Sequence, residues 1–476
     1  MINLSPYKYF YFLGIGGIGM SALARYFKSI GFEVAGYDRT QTELTDQLEK
    51  EGILCQFEDD VEAIPSHYLQ HKSELLVIYT PAIPKEHTEL NYLLSTGYTL
   101  IKRAEALASV TKGKETIAVA GTHGKTSTAS MISHILRTAD VPFYAFLGGI
   151  AANYNTNFLA PEDGEDADLV IVEADEFDRS FLQLEPDISV ITAIESDHLD
   201  IYDSEENLKE AFIEFARKIK PHGTLIIHNS IKMEVPEDEI LDTYGTNYEG
   251  YESYADGEYK AENIKIKDGK YQYDFVFPNP KYRLDNLTIG VPGIHNIENS
   301  MAAIAATHHL YDDNNIIYKA LDSFRGVHRR FEVIFKNNDW VYIDDYAHHP
   351  TEIKVTLQTI RDLYPGKKLL GIFQPHLFTR TRDLADDFAK SLSMLDELIL
   401  LPIYPAREEP IPGVSSSLIL DQVNCVAKSI INRDDVINAL SMKDFDVIVT
   451  LGAGDIDRLV KPIKLYLEQL EKDKAN

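Results

Sequence analysis

Six consecutive residues, Gly121-Thr122-His123-Gly124-Lys125-Thr126, carry the densest chemistry in this sequence of 476 residues. Glycines let backbone N–H groups approach phosphate oxygens, a lysine neutralises their charge, and a threonine hydroxyl can hold a divalent cation. The apolar run Thr116-Ile117-Ala118-Val119-Ala120 precedes them, and a helical pattern through Met131, Ile132, Ile135 and Leu136 follows. Strand, glycine turn and helix together predict a phosphate cradle made of Gly121, Thr122, His123, Gly124, Lys125, Thr126 and Ser127. The longer P-loop motif needs glycine where Val119 stands, and a plain glycine turn at a helix start would read similarly. Gly-Lys-Thr directly after a buried-type strand favours phosphate.

Acidic and imidazole groups follow two further apolar runs. Glu173-Ala174-Asp175-Glu176 comes after residues 169–172, and Asp197-His198 after 188–194. In a parallel sheet such positions gather outside the carboxyl ends of the strands. Oxygen and nitrogen donors converging on ATP phosphates are what magnesium or manganese sites use. Thr126, Glu173 and His198 are therefore the expected ligands, directly or through water. Gly293-Ile294-His295-Asn296-Ile297-Glu298-Asn299 precedes an alanine-rich helix at 301–306. Asn296 and Asn299 read there either as contacts to a purine edge or as helix caps. Arg330, at the end of Phe324-Arg325-Gly326-Val327-His328-Arg329-Arg330, suits a transferring phosphate.

A second glycine turn, Gly14-Ile15-Gly16-Gly17-Ile18-Gly19, lies between the strand pattern Tyr9-Phe10-Tyr11-Phe12-Leu13 and a helix through Met20, Leu23, Ala24 and Phe27. It matches the dinucleotide fingerprint, and Asp38 stands where the ribose-binding acid would. The geometry specifies only a pyrophosphate on a helix N-terminus, which a nucleotide-sugar diphosphate satisfies as well as a nicotinamide cofactor. An NAD(P)-dependent oxidoreductase is thus the alternative from another class, although nothing else in the chain calls for hydride transfer. Gly14, Gly16, Gly17, Gly19, Asp38 and Arg103 are the expected substrate contacts. Lys102-Arg103 reads either as charge for that ligand or as a solvated face.

Four further motifs each follow a strand pattern: Asp345-Tyr346-Ala347-His348-His349-Pro350, Gln374-Pro375-His376 through Arg380 and Arg382, Pro402-Ile403-Tyr404-Pro405-Ala406-Arg407-Glu408, and Gly452-Ala453-Gly454-Asp455. Four on one sheet edge point to a binding face. Arg380 or Arg382 can grip a carboxylate bidentately, and His348 can orient a substrate amine or assist its deprotonation.

Strands alternating with helices predict an α/β protein with a mainly parallel sheet in each of three domains. These are a Rossmann-like domain at 1–110, a central P-loop-type domain at 111–326 and a Rossmann-like C-terminal domain at 327–476. Residues from about 244 to 286 read as antiparallel hairpins inserted in, or edging, the central sheet. A net charge of −29 repels nucleic acid and anionic membrane, so a polyanionic ligand needs a locally basic pocket. Two distant cysteines argue against a disulfide framework. No apolar stretch reaches transmembrane length, and the N-terminus runs into a strand pattern without a basic leader, so a cytoplasmic protein is expected.

Taken together, the motifs identify a resemblance. Gly-Thr-His-Gly-Lys-Thr, Glu-Ala-Asp-Glu, Ser-Asp-His-Leu-Asp, His-Asn-Ile-Glu-Asn and Asp-Asp-Tyr-Ala-His-His-Pro-Thr-Glu-Ile occur in the order seen in the Mur ligases of peptidoglycan synthesis, across essentially the full length. The resemblance implies ATP and Mg2+ (or Mn2+) as cofactors. It implies Lys125, His198, Arg330, His348 and Arg380 as catalytic groups, with Asn296, Arg330 and Asp345 on the nucleotide. The 14–19 turn would hold a UDP-sugar diphosphate, and a mobile third domain would close over the other two. Glu409-Pro410-Ile411-Pro412-Gly413 resembles the branch that joins L-alanine to UDP-N-acetylmuramate, rather than the recycling branch that adds a tripeptide to the same sugar. Several sister ligases carry a carbamylated lysine. The matching window here, Ala211-Phe212-Ile213-Glu214-Phe215, has none, so that modification is not expected.

Overall fold

The structure is a computed structural model that describes residues 2–162, 165–195, 202, 204–233, 240–246, 258–311, 313–406 and 408–475. Among these residues three sheets form, of five, ten and six strands. The first orders its strands Leu54–Gln56, Glu33–Tyr37, Tyr9–Leu13, Leu75–Tyr79 and Thr99–Lys102, all parallel. Leu13 pairs with both Tyr37 and Tyr79, so Gly14, Asp38 and Thr80 leave the sheet at one edge.

The middle sheet is centred on the strand Glu115–Ala120, flanked by Leu169–Glu173 and Ile188–Ile191. Ile117, Ala118, Val119 and Ala120 are fully buried, as expected of a parallel strand covered on both faces. Val119 pairs with Glu173, and Ala120 with Ile191. The strand Ile188–Ile191 is three residues shorter than the 188–194 run predicts, because Thr192 turns out of the ladder. At one side Ile240–Thr246 pairs in parallel with both Thr224–His228 and Tyr259–Lys267, so Tyr244 belongs to the parallel part and not to the expected hairpins. The antiparallel edge begins later. Asp268-Gly269, both at positive φ, turn Tyr259–Lys267 into Lys270–Val276, which pairs with Arg283–Thr288. That last strand is charged: Arg283 reaches Asp274 at 3.0 Å and Asp285 at 2.5 Å, and Lys265 donates to Asn286 at 2.9 Å. The opposite edge, Thr156–Leu159, lies under the helix Ile18–Ser29. Buried Asn157 donates there to the Ile18 carbonyl at 2.5 Å and to Ser21 Oγ at 2.9 Å, and accepts from Arg25.

That contact explains the unit structure. The chain divides into two compact units, one of Met1–Lys265, Gln272–Gly290 and Asn296–Arg325, the other of Ile266–Tyr271, Val291–His295 and Gly326–Asn476. The first two sheets therefore share one unit. The junction between the first two domains is short, because Thr111 closes the helix Arg103–Thr111 and the next strand starts at Glu115. The third sheet orders its strands Glu332–Lys336, Val341–Asp345, Val447–Leu451, Leu369–Phe373, Glu397–Leu400 and Ala427–Ile430, with only the first antiparallel. Leu451 pairs with Asp345 and Phe373, and Phe373 with Leu400, which brings all four C-terminal motifs to one edge. No described helix is long and apolar enough to cross a membrane.

One buried acid sets a pH dependence in the first sheet. Glu89 is fully buried, where it accepts from the Tyr11 hydroxyl at 2.9 Å and from Gln56. Burial pushes its carboxyl from 4.5 up to about 7 against those hydrogen bonds. Between these two values the folded protein keeps a proton that the unfolded chain has lost, so stability falls as pH rises through that window. Relative to Glu89→Gln, the wild type is expected to lose roughly 2 kcal/mol at most from pH 5 to 7.5. Thermal midpoints of both proteins across that range check this, and parallel slopes would refute it.

Candidate active site

The phosphate loop is shaped by what stands over it. Gly121 takes φ +132°, and a Cβ there would meet Thr192 Oγ1 at 2.2 Å. Thr192 Oγ1 donates to the Ala120 carbonyl at 3.1 Å and to the His123 carbonyl, so it pins both ends of the turn. Thr122 N–H donates to the Ala193 carbonyl at 2.9 Å, and Thr122 Oγ1 accepts from Glu195 N–H at 3.1 Å. Gly124, at φ +81°, is the N-cap of the helix Lys125–Thr138, and no side chain caps that helix. Its first N–H groups are left for an anion.

Lys125 donates to the Gly121 carbonyl at 2.5 Å and meets Glu176 at 2.8 and 2.9 Å. Burial alone would depress its ammonium, but Glu176, Glu173 and Asp175 outweigh that and hold its pKa above the ordinary value. Burial raises Glu173 against the nearby Lys125 charge and the hydrogen bonds from Thr126 and Gly148. Gly148 N–H donates to Glu173 Oε2 at 2.8 Å, and a Cβ on Gly148 would lie 2.3 Å from that oxygen. A buried hydroxyl and a half-buried carboxylate side by side make a hard-oxygen pair suited to a small divalent cation. Ser127 is half-buried in the first turn of the helix. Asp197 and His198 lie outside the described residues.

Asn296 and Asn299 sit inside the helix Ile294–His308, which begins earlier than the alanine run suggests, so neither is its N-cap. Asn299 Oδ1 accepts from Thr128 at 3.2 Å, and its Nδ2 donates to Asn296 Oδ1 at 3.3 Å. Asn299 thereby fastens this helix to the phosphate-loop helix.

At the first glycine turn, Gly17 is the N-cap of Ile18–Ser29, again with no capping side chain. Asp38 Oδ2 accepts from Gly16 N–H at 2.8 Å and so holds the turn in shape. Arg103 stands beside Gly19, where a Cβ would lie 2.8 Å from its Nη1, and pairs with Asp175 at 3.2 Å. Arg103, Leu107, Glu173, Asp175 and Phe181 line a small, half-open depression. The two anion-type helix starts of this unit are thus linked through Arg103 and Asp175.

The second unit carries its own cluster. Burial lifts the Asp345 carboxyl to about 6, although Thr356 donates to it at 2.6 Å and Arg330 attracts it. Arg330 lies 5.0 Å from the Tyr346 ring centre and 3.7 Å from Glu352. His348 Nδ1 is 3.1 Å from the Tyr346 carbonyl and 3.3 Å from Glu352, and its ring meets His376 edge-on at 5.9 Å. Arg380 is on the short helix Phe378–Asp383, whose start is held by Glu408: Phe378 and Thr379 N–H donate to it at 2.6 and 3.0 Å. Arg382 instead pairs with the adjacent Asp383 at 2.6 Å and points to the surface.

Thr192 and Gly148 escaped the sequence reading, and Glu176 and Glu408 were quoted within motifs without a role of their own. Thr192 follows a central strand as Glu173 does, so its place was available from the pattern. Gly148 and Glu408 act through contacts distant in sequence, which no local signal records.

Sequence models of three segments match the chain: Mur ligase family, catalytic domain, at residues 9–115; Mur ligase middle domain, at 119–307; and Mur ligase, glutamate ligase domain, at 329–454. The UDP-N-acetylmuramate–L-alanine ligase of Cytophaga hutchinsonii is 45% identical, covering 98% of both chains. That of Porphyromonas gingivalis is also 45% identical, over 97% of this chain and 100% of its own. The solved UDP-N-acetylmuramate-alanine ligase of Thermotoga maritima shares 28% identity at TM-score 0.80, covering 98% of this chain and 99% of its own. A murein peptide ligase of Psychrobacter arcticus shares the fold at TM-score 0.68 and 22% identity, over 97% and 98%.

Gly148→Ala should push the Glu173 carboxylate off Thr126. Calorimetry should then show magnesium-dependent ATP binding weakened about tenfold, with metal-free ATP binding nearly unchanged. Equal loss in both conditions would mean that Gly148 shapes the loop and not the carboxylate.

Proposed function

The chain belongs to the Mur ligase family, and on that premise we propose that it joins L-alanine to the lactyl carboxylate of UDP-N-acetylmuramate, with cleavage of ATP to ADP and phosphate. The observation that carries this reading is the pair of anion-type glycine turns in one compact unit, linked by Arg103 and Asp175 at 3.2 Å. A ligase of this kind has to bring two polyanions together, and a hydride-transfer enzyme has no use for the second turn. The full-length relatives named above support the same substrates.

A carboxylate and an amine do not condense at neutral pH, because oxide is a poor leaving group. Transfer of the γ-phosphoryl group to the sugar carboxylate gives an acyl phosphate, which the amine attacks as phosphate leaves. Two anions meet in the first step, and their repulsion at a few ångströms is several kcal/mol in a partly buried site, roughly. Lys125, desolvated yet held charged by its carboxylate neighbours, supplies the opposing positive charge. Magnesium or manganese fits the oxygen pair of Thr126 and Glu173, with His198 as a third donor, and when bound would add screening between carboxylate and phosphate. We assign Asn296, Arg330 and Asp345 to the nucleotide, and Gly14, Gly16, Gly17, Gly19 and Arg103 to the UDP-sugar. Asp38 serves that site by holding the turn. Arg380 is assigned to the amino acid's carboxylate. With Nδ1–H directed at the Tyr346 carbonyl, His348 keeps a lone pair on Nε2 that can take the amine proton. In this reading residues 1–110 serve the UDP-sugar, 111–326 ATP and 327–476 the amino acid, in the cytoplasm.

Phosphate release should require UDP-N-acetylmuramate and L-alanine together, with the product identified by mass spectrometry. Release with a tripeptide in place of alanine would move the chain to the recycling branch. Lys125→Ala should lower turnover about 10²–10³-fold without weakening UDP-sugar binding by more than about threefold. Equal loss of both in calorimetry would contradict this division of labour. Arg380→Ala should raise the KM for alanine at least about tenfold with a smaller effect on ATP.

A further inference from the structure

Asp175 and Glu176 are consecutive, and each grips the cation of a different anion site. Glu176, 1% exposed, pairs with the Lys125 ammonium at 2.8 Å in the phosphate loop. Asp175 pairs with the Arg103 guanidinium at 3.2 Å, beside Gly19 of the diphosphate-type turn. The segment is braced as one piece. Phe177 N–H donates to Asp175 Oδ1 at 3.1 Å, Ser180 Oγ and Phe181 N–H donate to the Asp175 carbonyl at 2.8 and 3.0 Å, and the Tyr202 hydroxyl donates to the Glu176 carbonyl at 2.6 Å. One carboxylate cannot travel far without carrying the other.

We propose that Asp175-Glu176 is a clasp that occupies both cations before substrates arrive, and that it couples the two nucleotide sites. The proposal rests on the ligase reading. A phosphate reaching Lys125 competes with Glu176 for the ammonium, and a diphosphate reaching the Gly19 side of Arg103 competes with Asp175, which holds Nη2, for the guanidinium charge. Whichever ligand comes first displaces the braced segment, and the second then finds its cation already released. Coupling of this kind is positive, and by thermodynamic linkage it acts equally in both directions. The clasp also keeps the buried ammonium paired while the site is empty, when a lone buried charge would be strongly destabilising.

The test is calorimetric titration of the intact protein with a non-hydrolysable ATP analogue, with and without saturating UDP-N-acetylmuramate. In the wild type the sugar nucleotide should tighten analogue binding about fivefold or more. Glu176→Gln should bind the analogue about tenfold tighter than wild type when no sugar nucleotide is present, and the coupling factor should fall to near one. Asp175→Asn, which leaves the buried pair intact, should tighten sugar-nucleotide binding and likewise remove the coupling, so a poorly folding Glu176→Gln does not end the test. The ligand-free thermal midpoint of Glu176→Gln should drop and recover on saturation with the analogue, whereas a merely structural defect would lower both states alike. Coupling that survives in both variants, or an unchanged analogue Kd in Glu176→Gln, overturns the clasp. Failure of the wild type to bind either nucleotide would instead overturn the ligase reading.

Discussion

The register of three neighbouring strands is the constraint on which the central site depends. Val119 stands opposite Glu173, and Ala120 opposite Ile191. Because the three run parallel, the next residues of each leave the sheet at one edge: the phosphate loop, the acidic loop and Thr192. A slip of one residue would send each side chain to the other face. The full burial of residues 117–120 forbids that slip, since it would put the neighbours of an apolar core in contact with polar groups. Core packing therefore sets the geometry of the candidate site, and the loops only complete it.

Charge is managed locally in a chain whose overall balance is strongly acidic. Each cation at the first unit's anion sites has a carboxylate beside it, Lys125 with Glu176 and Arg103 with Asp175. In the second unit Arg329 meets Asp344 at 3.1 Å, and Arg330 lies 3.7 Å from Glu352. At Lys125 the neighbouring carboxylates hold the ammonium pKa above its ordinary value despite burial.

Much of this was legible in the sequence, for identifiable reasons. Strands 9–13, 33–37, 75–79 and 169–172 could be read because parallel strands buried on both faces are continuous apolar runs. Both glycine turns could be read because backbone approach to phosphate demands glycine at fixed spacing. The strand 188–194 was overextended, because Thr192 and Ala193 keep strand-like residue types after leaving the ladder. Tyr244 was placed among hairpins because its surroundings alternate polar and apolar, yet its strand pairs in parallel on both sides. The partners of site residues were the least visible. Gly148 lies 25 positions from Glu173, and Glu408 lies 29 from Thr379, so only the folded chain brings each pair together.

The middle sheet ends differently on its two sides, and that difference bears on how the protein behaves in a crowded cell. Thr156–Leu159 is sealed beneath a helix of the first sheet's domain, while Arg283–Thr288 has no further strand beside it among the described residues, although the Tyr318 hydroxyl donates to its Asp285 carbonyl at 2.8 Å. An open border of this kind invites a stranger's strand to add itself and start a fibril. The ionic lattice of Arg283, Asp274 and Asp285 makes such an addition unfavourable, since an incoming strand would have to strip water from those charges. The chain can therefore carry a wide sheet through synthesis and folding without becoming a seed for its own aggregation.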